Sequence, residues 1–124
     1  MVQTLLIVDD NRVNRRAAIA VCGNLGVPSH EVSSAEEALQ VLELQAFAAL
    51  LLDLRMPGMS GEDLCQRLKA DSRFSHMPVV AYTAHVQRSD VETLMRRGFD
   101  AVLLKPVRMS EFERVLRSIG LLTG

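Results

Sequence analysis

At 124 residues the chain fits a single domain, 1–124, long enough to bury a core without disulfides or a structural metal. Apolar residues make up 48%, aromatics only 4%, and Trp is absent, so that core is aliphatic. A formal net charge of -1 excludes the basic face that direct nucleic-acid binding needs. No apolar run approaches the roughly 20 residues that span a bilayer, so no membrane contact is expected.

The first residues, Met1 to Thr4, lack the basic start and long apolar run of a signal peptide, and a cytoplasmic domain is expected. Leu5 to Val8 is a buried strand that ends in Asp9-Asp10. A helix follows from about Arg12 to Leu25, capped by Asn11 and stopped by Gly26 and Pro28, with Val13, Ala17, Ala20, Val21 and Asn24 as its inward stripe. A weak strand around His30 to Val32 comes next. Ser34-x-x-Glu37 is a capping box opening a helix through Leu44, and Ala35, Ala38, Leu39 and Leu42 mark its buried face. Ala48 to Leu52 is a continuous apolar strand ending at Asp53, as expected for a central parallel strand covered on both faces.

Leu54 to Gly61 is a loop punctuated by Pro57 and Gly58. A short helix carrying Leu64, Cys65 and Leu68 follows. Pro78 introduces a strand from Val79 to Tyr82 that ends at Thr83, and a helix from roughly Ser89 to Arg97 terminates at Gly98. Ala101 to Leu104 is the last strand and ends at Lys105-Pro106. Ser110-x-x-Glu113 is read as the cap of a final helix, with Phe112, Val115, Leu116 and Ile119 inward. Five strand-helix units in succession imply an α/β fold, a parallel sheet with helices on both faces. Cys22 and Cys65 fall inside helices without zinc-ligand spacing and read as small buried apolar groups in a reducing compartment. The methionines read as core gap-fillers, and His30 and His76 as exposed.

Four strands end in Asp9-Asp10, Asp53, Thr83 and Lys105. In an open parallel sheet the C-terminal strand ends share one edge, where ligand crevices form. Three carboxylates, a hydroxyl and an ammonium therefore meet in one small site. Clustered carboxylates repel one another unless they are protonated or bound to a cation, and Asp oxygens favour a hard divalent ion, Mg2+ or Mn2+. A carboxylate can attack phosphorus to give an aspartyl phosphate, with a metal and Lys105 neutralising charge and Thr83 donating to a phosphoryl oxygen. Taken singly, Asp9-Asp10 is an ordinary acid pair at a helix start, Asp53 a turn residue before Pro57, and Thr83 an ordinary strand-end hydroxyl. Lys105 is more pointed, because the chain has two lysines against twelve arginines. Jointly, these readings as unrelated features require several coincidences on the same edge.

Val8-Asp9-Asp10-Asn11, Asp53-x-x-Met56-Pro57-x-Met59-x-Gly61, Thr83-Ala84 and Lys105-Pro106 together resemble the response-regulator receiver family over essentially the whole chain. The resemblance implies a doubly wound, flavodoxin-like, five-stranded sheet of order 2-1-3-4-5. It implies Asp53 as phosphoacceptor, with a histidine kinase or histidine phosphotransfer protein as donor. Asp9, Asp10, Asp53 and the backbone carbonyl of Arg55 are implied as Mg2+ ligands, and Thr83 and Lys105 as phosphoryl-binding groups. Arg55 and His85 fall at positions that border the entrance and are expected to influence the lifetime of the phosphoryl group. Val8-Asp9-Asp10-Asn11-x-x-Asn14-Arg15 is similar to receivers attached to hybrid histidine kinases. In the family the first helix, which here carries Arg12, Arg15 and Arg16, commonly docks the donor, with a solvated helical face as the simpler reading of those arginines, and receivers can dimerise when phosphorylated. One position departs: Val102 stands where the family usually has Tyr or Phe, a ring that turns with the Thr hydroxyl. Tyr82 is expected to point to the opposite side of the sheet from Thr83.

Two other functions compete. A pseudo-receiver interaction module would lack Asp53, Lys105 or the acid pair, and all are present. An aspartyl-nucleophile phosphatase would carry Asp-x-Asp after a strand, where this chain has Asp53-Leu54-Arg55. The expected activity is the domain's own phosphorylation and dephosphorylation, not turnover of a small substrate.

Overall fold

The structure is a computed structural model that describes residues 3–84 and 88–122. Strands and helices alternate: β1 (Leu5–Val8), α1 (Arg12–Asn24), β2 (Ser29–Val32), α2 (Ala35–Leu44), β3 (Ala49–Asp53), α3 (Gly61–Lys69), β4 (Val79–Thr83), α4 (Arg88–Arg96), β5 (Ala101–Leu104) and α5 (Met109–Ser118). The strands form one parallel sheet in the order β2-β1-β3-β4-β5. This is the doubly wound order the resemblance implied. Every residue of β1 and β3 is buried, which is why those segments are uninterrupted runs of apolar residues.

Strand alternation sorts the core into two layers. Leu6, Val8, Leu50, Leu52, Val79 and Ala81 pack with α2, α3 and α4. Leu5, Ile7, Ala49, Leu51, Val80, Tyr82 and Leu103 pack with α1 and α5. Both cysteines are buried and unpaired, one in each layer, and burial pushes each thiol up to about 11.

Helix starts follow local chemistry. The Asn11 side chain accepts from the Asn14 amide, Ser34 from Glu37, and Ser60 from Asp63. Glu37 returns its carboxylate to the Ser33 amide, one residue ahead of the cap. Three readings need correction. In α1 the buried residues are Ala18 and Cys22, while Val13 is 76% exposed and Ala20 and Asn24 also face solvent. Apolar residues surround that helix from Ala17 to Cys22, so periodicity alone leaves its rotation open. Helix α5 begins at Met109 with Arg108 as N-cap and no side-chain cap bond, which places Ser110 inside the first turn. Of the methionines, Met56 and Met77 are buried, but Met95 and Met109 are exposed at 45% and 43%.

The turn from β3 into α3 folds back so tightly that it tolerates only glycine at Gly61. A Cβ there would lie 2.0 Å from the Asp53 carbonyl oxygen and 3.0 Å from Leu54 Cα, both backbone atoms that cannot step aside cheaply. The Gly61 amide donates to Leu54 O at 3.1 Å and closes the turn. Gly61→Ala is expected to lower stability by about 1–3 kcal/mol through this overpacking, read as a lower urea midpoint in equilibrium unfolding.

Candidate functional site

The carboxyl ends of β1, β3, β4 and β5 open on a shared pocket of about 260 Å³, lined by Asp9, Asp10, Asn11, Asn14, Asp53, Arg55, Thr83, Ala84 and Lys105. Register explains the convergence. Val8 pairs with Leu52, so Asp9 follows β1 beside the Asp53 that ends β3. Asp53 pairs with Tyr82, and Thr83 with Leu104, which brings the ends of β4 and β5 to the same level.

Carboxylate oxygens of Asp9, Asp10 and Asp53 lie within 4.8 Å of one another. Asp9 and Asp53 are the only buried charged residues among those described, at 0% and 6% exposure, while Asp10 faces solvent. Lys105 Nζ lies 2.9 Å from Asp9 Oδ2 and 3.2 Å from Asp53 Oδ1. One ammonium is thus shared between two buried carboxylates. Asp9 Oδ2 is wholly buried and makes no well-directed hydrogen bond, leaving the Lys105 ion pair as its contact. Asp9 Oδ1 accepts from the Asn11 amide at 2.9 Å. The Arg55 amide approaches Asp53 Oδ1 at 3.5 Å, the limit of a hydrogen bond.

Three acids against one lysine leave excess negative charge. Burial, and next the neighbouring Asp9, push the Asp53 carboxyl up to about 6, against the opposing pull of Lys105. An under-compensated cluster of hard oxygen donors, partly buried and partly open to solvent, suits a divalent cation that keeps some of its waters.

Two contributors were not visible in the sequence. Tyr82 does point away from Thr83, as strand alternation requires, but that is the side Lys105 occupies. The Lys105 ammonium sits 4.9 Å from the Tyr82 ring centroid, so the ring floors the site. Burial and then Asp9 push the Tyr82 phenol up to about 12. The parity of Tyr82 with Leu103, two residues before Lys105, was the available signal. The second is Arg15, whose guanidinium donates to the Asp9 carbonyl oxygen at 2.8 Å.

The loop after β3 is held from α2. Glu36 accepts from the Met59 amide at 3.1 Å, and Gly58 adopts φ +80°, the left-handed conformation that favours glycine. The Lys105-Pro106 peptide is cis. Arg55 is exposed and lines both this pocket and a neighbouring one that reaches Glu62 and Arg97, themselves an ion pair between α3 and the end of α4. His85 lies outside the described residues. Val102 is half-buried against the layer of α2, α3 and α4.

No helix among the described residues is long and apolar enough to cross a membrane. Sequence comparison finds the sensor histidine kinase AruS of Pseudomonas aeruginosa, 36% identical over 121 residues; these cover 94% of this chain and 12% of that protein. It also finds the polar-differentiation response regulator DivK of Brucella ovis, 28% identical over 118 residues, covering 95% of this chain and 96% of DivK. Among solved structures, the receiver domain of a Pseudomonas aeruginosa sensor histidine kinase superposes with a TM-score of 0.84 at 30% identity. That match covers 97% of this chain and 99% of the other, which holds a magnesium ion coordinated in its active site cleft. Residues 5–117 match the response regulator receiver domain, and the chain belongs to that family, as a receiver of two-component signalling.

Proposed function

We propose that this receiver, residues 1–124, accepts a phosphoryl group on Asp53 from a phosphohistidine of a histidine kinase or histidine phosphotransfer protein. The observation that carries the reading is the shared ammonium: Lys105 holds Asp9 and Asp53 together at the open edge of the sheet, with Asp10 alongside.

Asp9, Asp10 and Asp53, with the backbone carbonyl of Arg55, are the groups that would hold Mg2+ or Mn2+. When bound, such an ion neutralises charge on the acids and on the phosphoryl oxygens. The chain's own residues supply the remainder. An Asp53 carboxylate oxygen forms the new O–P bond as the P–N bond to the donor imidazole breaks, and the departing nitrogen takes a proton from solvent. Lys105 transfers its pairing from Asp53 to the phosphoryl oxygens, and the Thr83 hydroxyl donates to another. Arg55, at the mouth, and His85 bear on the access of water to the product.

The outward face of α1 supports the partner assignment. Val13 stands 76% exposed between Arg12 and Arg16, both also exposed, directly after the loop that carries the acid pair. An apolar side chain with cationic neighbours beside the site suits a partner helix presenting a phosphohistidine. On another side, α4, β5 and α5 border a cleft of about 470 Å³ lined by Val91, Met95, Val102 and Leu104, which suits a phosphorylation-dependent dimer. A cytoplasmic location accords with this chemistry.

Incubation with acetyl phosphate and Mg2+ is expected to add the mass of one phosphoryl group to the wild type and none to Asp53→Asn. Lys105→Met is expected to slow the reaction by about 100-fold. An unchanged mass for the wild type would leave only an interaction module, and turnover of a phosphoester would point to a phosphatase.

Stability carries a second test. The Asp53 carboxyl titrates near 3.8 when unfolded and at about 6 when folded, so between those values the folded chain binds more protons. Stability of the metal-free protein should therefore fall as pH rises from about 4 to about 6, then level off. The loss should reach about 1–2 kcal/mol, less than the full shift implies because the open side of the site screens part of it. Urea unfolding in chelator across this range should show the fall in wild type and its absence in Asp53→Asn.

Val13→Asp should weaken phosphotransfer from a phosphohistidine partner by about 10-fold, as for loss of one central apolar contact, while acetyl phosphate labelling stays at the wild-type rate.

A further inference from the structure

Arg15 lies in the first turn of α1 with its side chain only 15% exposed. Its Nη1 donates to the Asp9 carbonyl oxygen at 2.8 Å, and its Nε donates to Glu31 Oε1 on β2 at 2.8 Å. That carbonyl belongs to the peptide joining Asp9 to Asp10. The rest of Asp9 is also fixed: its amide donates to Val32 O at 3.2 Å, Oδ1 accepts from the Asn11 amide, and Oδ2 pairs with Lys105. For the Asp9 backbone what remains is the tilt of the Asp9-Asp10 peptide plane, which the guanidinium restrains. Asp10 has the exposed carboxylate of the cluster, so its direction depends on that plane.

We propose that Arg15, anchored by Glu31, is a positioning residue for the divalent-ion site: it sets the Asp9-Asp10 peptide plane and so the spacing of the two carboxylates. The inference rests on the reading that these acids hold the ion. Arginine suits the task because its planar fork offers two donors at a fixed angle to acceptors on different elements. A lysine has one nitrogen and cannot hold both the carbonyl and Glu31 in the same geometry.

Charge and positioning predict opposite signs. A guanidinium beside an acid cluster repels an incoming cation, so its removal tightens cation binding if charge alone matters. If Arg15 positions the ligands, its removal loosens binding, as loss of a group that orients metal ligands does.

Calorimetric titration of the metal-free protein with Mg2+ decides between them. Arg15→Met is expected to bind Mg2+ about 10-fold more weakly, with Arg15→Lys between it and wild type. The acetyl phosphate reaction should then need more Mg2+ for half-maximal rate yet reach the wild-type rate at saturation. In the metal-free state the Asp10 backbone 15N resonance should move in Arg15→Met, since the carbonyl of the same peptide loses its donor. Should Arg15→Met fail to fold, Arg15→Lys, which keeps the charge but not the fork, is expected to weaken Mg2+ binding, where charge alone predicts no change. Unchanged or tighter Mg2+ binding in these variants overturns the clamp. Absence of Mg2+ binding by the wild type would instead overturn the site reading on which it rests.

Discussion

Everything at the carboxyl edge of the sheet answers to one shortage: two buried carboxylates share a single ammonium. A buried charge is tolerated when paired and hydrogen-bonded, and costs several kcal/mol otherwise, on the order of the stability of a small domain. Lys105 meets Asp9 Oδ2 and Asp53 Oδ1 at once, which satisfies neither fully. Asp10 then adds a third acid at the rim. The Asp53 carboxyl is pushed up accordingly, since burial and Asp9 outweigh the lysine. A site tuned for stability alone would replace one acid with a neutral group. Retaining three is understandable when a divalent cation completes the charge balance.

The fold brings the shortage about through sheet register and reinforces it from behind. Parallel pairing forces the strand ends to one level, so residues far apart in sequence become neighbours with no bond between their side chains required. Consecutive residues of β4 then serve opposite sides: Tyr82 lies under the lysine with α1 and α5, and Thr83 lines the pocket. Gly61 lets the chain turn back against the Asp53 backbone, and Glu36 holds the Gly58-Met59 segment from α2. Bonds of this kind join backbone to backbone or side chain to backbone, so they fix geometry without adding to the charge at the centre.

The strands, the caps at Asn11 and Ser34, and the acid, hydroxyl and lysine positions could all be read from the chain, because each depends on local chemistry or on the period of apolar residues. The rotation of α1 could not, since Ala17 to Cys22 offers apolar side chains in every direction and packing on β1 and β2 decides which are covered. Ser110 illustrates the complementary error. Its spacing from Glu113 fits a capping box, yet the extended Arg108 already ends the turn after Pro106, and the helix has begun before Ser110 is reached. Arg15 and Tyr82 were read for other features, and their contacts with the site were missed: that of Arg15 is to a backbone carbonyl, which no residue pattern records, and that of Tyr82 needs the register of β4 with β5.

Val102 brings these lines together. A valine on β5 has no ring to turn, so it cannot follow a movement of Thr83 in the way an aromatic residue does. The structure nevertheless keeps an aromatic ring beside the acid cluster, on β4 and on the opposite side, in contact with the lysine that pairs with Asp53. Tyr82 is 1% exposed and packed in the layer of Phe112, Val115 and Leu116, so the ring has no vacant space to swing into. A change of charge at Asp53 would therefore act on that layer through the lysine as an altered electrostatic load on a packed ring. On the other side, Val102 is packed against the layer of α2, α3 and α4 and, with Met95 and Leu104, lines the cleft bordered by α4, β5 and α5.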